Sequence, residues 1–212
     1  MNQRVLLLFC LGLVSLCGGE DRFWEKQEAS TFTPEQVTQF TTASPWAKQV
    51  TAVLTSNDSN MAGGAPHSGG VGRRGGGVGR GGSSSSTSPS MPKWEAIVRW
   101  VSAPPMQQLL KPKLPDSFKG HYVISVTGLP IGEDPGSLTE QTSLTIKRGQ
   151  EVHPETAYQD PNDTATLYFA FLPSMVDASN SKTAQFKMEA PPFEVKTKFN
   201  LGEMKIHGEP SL

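Results

Sequence analysis

Four histidines, His67, His121, His153 and His207, and 20 acidic residues are the side chains in this sequence from which a metal centre or acid-base machinery would be made. No two of the histidines stand at i, i+2 or i, i+4, the spacings that put two imidazoles on one face of a strand or helix, so a metal site requires tertiary convergence. His121 and His207 fall on the polar phase of their segments and read as solvated side chains. Asp160, Asn162 and Asp163 open like a calcium loop, but the glycine at position 6 and the acid at position 12 are missing, so the segment reads as a turn. Gly70-Val-Gly72-Arg-Arg-Gly75 spells G-x-G-x-x-G, yet no strand delivers it and no helix follows it to hold a pyrophosphate. Arg73, Arg74 and Arg80 lie among glycines without aromatic neighbours, too few charges and no stacking surface for nucleic acid. G-x-S-x-G, H-E-x-x-H, a P-loop and a Cys/His nucleophile pair are absent. The residues therefore assign no catalytic group, no cofactor-binding group and no metal ligand, and a non-enzyme is expected.

The elements that would position any chemistry begin with an export signal. Arg4 precedes the apolar run Val5–Leu16, and Cys17, Gly18 and Gly19 are small residues before Glu20-Asp21, which predicts a secretory signal peptide over residues 1–19. The run stops short of the roughly 20 apolar residues that a membrane span needs. Both cysteines, Cys10 and Cys17, lie inside it, so cleavage after Gly19 leaves a mature chain that folds without disulfides. Val14-Ser15-Leu16-Cys17-Gly18 is similar to a lipobox, with Leu16 where a smaller residue is usual, and makes Cys17 the candidate lipidation site of an envelope-anchored form. The net charge of -1 speaks against a dedicated nucleic-acid binder.

Composition divides the remainder into three zones. Residues 20–55 carry a short helical segment, in which Thr33-Pro34-Glu35-Gln36 combines an N-cap hydroxyl, a proline at N1, an acid in the first turn and a Gln at N3. Val37 and Phe40 share a face of that helix; after the Ser44-Pro45 break, Trp46, Val50 and Val53 continue the apolar spacing. So short a helix is unstable alone, which leaves Trp24, Phe40 and Trp46 either packed on the later domain or available as partner contacts. Residues 56–92 read as a Gly/Ser/Arg-rich disordered linker with a reach of about 35 Å.

Residues 93–212 alternate as strands do. Phe193, Val195, Phe199 and Leu201 share one face while Glu194, Lys196, Lys198 and Asn200 share the other. The same phase recurs in Tyr122/Ile124/Val126, Leu144/Ile146, Ala184/Phe186/Met188 and Met204/Ile206; Trp94–Val101 is a further strand, and Ala165–Leu172, apolar on both sides, reads as a central one. Turn residues separate these runs, and a short helix is expected from Pro104 to Lys111 with Met106, Leu109 and Leu110 inward. The fold class predicted is mainly β, an antiparallel β-sandwich of about seven strands. Asn57-Asp-Ser59 and Asn162-Asp-Thr164 fit the N-glycosylation sequon.

Phe23-Trp24-Glu25-Lys26, the capped helix running into Ser44-Pro45-Trp46-Ala47-Lys48, the Gly/Arg/Ser segment, Val98-Arg99-Trp100 with Ser102-Ala103-Pro104, and the closing Phe199-x-Leu-x-x-Met204-x-x-x-Gly208 together resemble a group of uncharacterised exported bacterial proteins. The resemblance implies export and a shared architecture, with no activity attached. The function expected is a non-enzymatic exported module of the cell envelope, periplasmic, envelope-associated or extracellular, that binds a protein or another envelope component. The alternative is an enzyme or enzyme accessory acting on envelope polymers through a loop-built site.

Overall fold

A computed structural model describes residues 22–55, 93–146, 149–176 and 181–212. The expected signal peptide with Cys17, the expected linker at 56–92 with its Gly/Arg motif, His67 and the Asn57 sequon lie outside the described residues. Among the described residues no helix is long and apolar enough to cross a membrane.

The protein is mainly β. The capping box predicted at Thr33 forms: the Gln36 amide donates to Thr33 Oγ1 at 3.3 Å, and the Thr33 amide donates to Gln36 Oε1 at 2.9 Å. Helix α1, Pro34–Thr42, follows. Strand β1 is Ala47–Leu54, β2 Trp94–Trp100 and β3 Tyr122–Thr127, with helix α2, Pro104–Leu110, between β2 and β3. Then come β4 Thr142–Thr145, β5 Glu151–Val152, β6 Thr156–Asp160, β7 Asp163–Phe171, β8 Thr183–Ala190 and β9 Phe193–Asn200. These nine make one antiparallel sheet in the order β5-β4-β8-β9-β1-β2-β3-β7-β6, and β10 Lys205–Ile206 pairs with β11 Glu209–Pro210 as a separate hairpin.

The strand inventory differs from the expected seven in a definable way. Met204/Ile206 leaves the main sheet for its own hairpin, while β1, β5 and β6 join it. Strand β1 is the instructive case, because Trp46, Val50 and Val53 were spaced as a helix would space them. The β-branched Val50, Thr51 and Val53 instead follow an extended backbone that pairs with β2 over residues 47–52 and with β9 at Val53 and Leu54. Residues 56–92 therefore connect two neighbouring strands of one sheet, with Ala52 opposite Trp94.

The sheet curls around β1. Strands β8 and β7 are five places apart in the sheet order, which would separate them by about 24 Å in a flat sheet at roughly 4.8 Å per strand. Their Phe186 and Phe169 ring centroids are 6.0 Å apart. Trp100 of β2 likewise meets Phe199 of β9 at 5.5 Å. The interior is the predicted apolar phase of each strand: Ala96, Val98 and Trp100, then Ile124 and Val126, then Leu167, Phe169 and Phe171, then Phe186, Met188, Val195 and Phe199, all buried. At the seam, the short helical turn Pro135–Leu138 touches both β6 and β8 and buries Leu138.

Strand β7 is not central. It is next to the edge strand β6, and its second apolar side is explained by a small outer core: Phe118, from the segment after α2, covers Val101, Val123 and Ala170.

Candidate functional site

The outer face of β2, β3 and β7 is where polar side chains become trapped. Antiparallel register sets Arg99 opposite Ser125, Ser125 opposite Tyr168, and Tyr168 opposite Tyr158 of β6, so one row crosses four strands. Two residues along, Thr127 stands opposite Thr166. Ser125 is small between two long neighbours, and the row has a notch at its centre. The resulting recess, about 290 Å³, is lined by Arg99, Ser125, Thr127, Thr166, Tyr168 and Asp163 on its polar side and by Val101, Leu110 and Pro112 on its apolar side.

Each polar group has a physical reason for its state. Arg99 Nε donates to the Thr41 carbonyl at 2.7 Å, and Nη1 donates to Thr127 Oγ1 at 2.9 Å. Thr41 belongs to the last turn of α1, whose carbonyls lack intrahelical partners, so the guanidinium closes that helix end. Thr127 Oγ1 shares a 3.1 Å hydrogen bond with Thr166 Oγ1, which donates in turn to Asp163 Oδ2 at 2.7 Å. Burial pulls the Arg99 guanidinium below its usual range, opposed by the nearby Tyr168 and Asp163. Burial, with the Asp163 and Asp160 carboxylates, pushes the Tyr168 phenol above its usual range and keeps it a proton donor at neutral pH. Arg99 Nη2 and the Ser125 hydroxyl have no hydrogen-bond partner among the described residues; Ser125 as a whole is 1% exposed, and its hydroxyl is the part that opens onto the recess.

Pro112 also lines a second recess of about 410 Å³, floored by Val123 and Phe118 and rimmed by Lys111, Lys119 and His121. His121 Nε2 lies 2.8 Å from Glu155 Oε2, and Nδ1 lies 3.2 Å from the Lys119 carbonyl. The His121 side chain is 14% exposed: it stands just before β3 rather than on its polar phase, and, expected to be solvated, is instead largely covered.

The residues singled out in the sequence lie elsewhere. Trp24, Phe40 and Trp46 are 2%, 0% and 0% exposed and pack edge-on or tilted against one another, with centroid separations of 5.8, 6.4 and 5.1 Å. The N-terminal segment thus docks on its own chain, α1 on β1 and β2, and residues 29–31 on α2. Trp94 and Trp100 pack on Phe193 and Phe199. His153 bonds to the Thr142 carbonyl at 2.9 Å, and His207 is 3.9 Å from Glu28; no group of three His, Cys, Asp or Glu side chains that could hold a metal occurs among the described residues. Asp160, Asn162 and Asp163 form the β6–β7 turn, with the Asn162 amide donating to Asp160 Oδ1 at 2.8 Å. Leu110, expected inward, is 37% exposed and lines the smaller recess.

Arg99, Ser125 and Tyr168 escaped the sequence reading because each is an ordinary outward residue of its strand. A polar residue on the outer phase of three strands was the available signal, and register is what turns it into a site.

Family models, curated proteins and solved structures yield no match to this chain.

Proposed function

We propose that this chain is a non-enzymatic exported binding module of the bacterial cell envelope, and that it binds through the outer face of β2, β3 and β7. The two halves of the curled sheet act as layers of a β-sandwich that share β1, and the contact of Phe169 with Phe186 across the interior supports that description. The binding reading rests on the Ser125 hydroxyl, which opens without a protein partner onto a recess that also holds an unengaged guanidinium nitrogen of Arg99. Polar groups left open in a concave site are those a ligand can complete. The signal-peptide pattern of residues 1–19 supports export, and the lipobox-like run ending at Cys17 supports an anchored form.

The test is capture in place. The full chain and a Ser125→Leu variant are expressed in a bacterial host with an intact envelope and crosslinked, and the N-terminal residue and co-purifying molecules are identified by mass spectrometry. A component recovered with the parent chain and lost with Ser125→Leu is the expected result. Equal recovery with both, or none with either, overturns it.

A second reading, an enzyme or enzyme accessory acting on envelope polymers, draws on the His121–Glu155 pair at the rim of the larger recess, the arrangement by which a carboxylate orients an imidazole base. Release of fragments from isolated envelope polymer by the full chain, abolished by Glu155→Gln, would establish it.

A further inference from the structure

We infer that the recess over Ser125 is a site for a small zwitterion of the amino-acid type, carrying a carboxylate, an ammonium group and an apolar side chain; this deepens the binding reading above and rests on it. Three kinds of surface meet there. The cationic wall is Arg99, whose Nε and Nη1 are held by Thr41 and Thr127 and whose Nη2 stays open, a guanidinium fixed before any ligand arrives. Beside it the Ser125 hydroxyl lies unpaired at the floor and the Tyr168 phenol remains protonated, so two further donors can serve the same carboxylate.

A plain anion would leave one element unanswered. Asp163 lines the same recess, with Oδ2 accepting from Thr166 Oγ1 at 2.7 Å and Oδ1 accepting from the Ala165 amide at 3.3 Å. Each oxygen keeps a lone pair; Arg99 already offsets part of the charge, but a ligand carboxylate set beside Asp163 is still repelled, whereas a ligand ammonium is attracted and can fill the open acceptors. The third surface, Val101, Leu110 and Pro112, offers nothing polar beyond backbone and receives an aliphatic side chain. The volume of about 290 Å³ lies at the low end for ligand sites, which suits a single residue better than a polymer chain.

The probe is L-leucine, added to the 15N-labelled full chain and followed by NMR at the Arg99 side-chain Nε–H and the Ser125 and Thr127 amides. The expected result is a saturable shift with a dissociation constant of order 1 mM, at least tenfold weaker for leucinamide, which lacks the carboxylate, and for 4-methylpentanoate, which lacks the ammonium. Because Arg99 also closes α1, the control variant is Ser125→Leu, which fills the notch and leaves Arg99 in place; it is expected to keep the dispersed spectrum of the folded chain and lose the shift. Absence of a saturable shift in the folded parent chain overturns the inference, as does equal binding of 4-methylpentanoate or undiminished binding by Ser125→Leu. A partner still captured in the envelope experiment when leucine fails to bind would leave the general binding reading standing and remove this one.

Discussion

Arg99 Nε and the Thr41 carbonyl, 2.7 Å apart, tie the outer face of β2 to the last turn of α1. One guanidinium therefore links the N-terminal segment, the sheet and the Thr127–Thr166–Asp163 hydrogen-bond chain. Charged hydrogen bonds of this kind contribute about 1.5–3 kcal/mol. Arg99→Gln is expected to lower the unfolding free energy by about that amount in urea titrations, and Arg99→Lys to recover less than half of it, because one ammonium cannot span both acceptors.

Trp46 joins the N-terminal cluster to the other end of the chain. Its Nε1 donates to the Ser211 carbonyl at 2.5 Å, while its ring packs on Phe40 and Trp24. Trp46→Phe is expected to cost about 1 kcal/mol from the lost hydrogen bond and a further share from lost volume. Hydrogen exchange of the Ser211 amide, which donates to the Met204 carbonyl at 2.9 Å, should accelerate selectively.

Tyr168 sets an alkaline limit. Its folded-state pKa is raised, so the folded chain holds the proton more tightly than the unfolded one. That contribution is complete below the unfolded value near about pH 10 and is lost as pH rises through the folded value. Denaturant midpoints measured from about pH 9 to about pH 11 should fall more steeply for the parent chain than for Tyr168→Phe.

The capping box of α1 carries an acid dependence of opposite sign. Backbone hydrogen bonding and the Thr33 hydroxyl lower the pKa of Glu35. Its contribution is present above the ordinary carboxylate value and is lost as pH falls through the depressed one. Thr33→Ala should cost about 1 kcal/mol at neutral pH, and an acid titration followed by NMR should show the Glu35 carboxyl moving back toward its ordinary range.

Gly128 ends β3 with φ +101°, and a Cβ added there would lie 2.8 Å from the Glu95 carbonyl oxygen. Both the backbone angle and the contact oppose any side chain. Gly128→Ala should destabilise by about 1–3 kcal/mol, read as a lower thermal midpoint with a native circular-dichroism spectrum below it.

Much of the framework was readable one residue at a time. The Thr33 capping box, the turn at Asp160–Asp163 and the inward phase of β2, β3, β8 and β9 follow from rules that act within a few residues. The candidate site was not readable that way. Arg99, Ser125 and Tyr168 are separated in the chain by whole elements, and only pairing places them in one row.

By itself the sequence determined the β character of residues 93–212, the start of α1 and which side of most strands turns inward, because hydrophobic period and backbone propensity are local quantities. Tertiary structure alone decided that residues 47–54 become the strand about which the sheet curls, that β7 lies beside an edge, and that Trp24, Phe40 and Trp46 turn inward together. Those outcomes depend on which strands pair and in what register. The contacts responsible join residues far apart in the chain, and their energy exists only when the whole sheet has closed on its core.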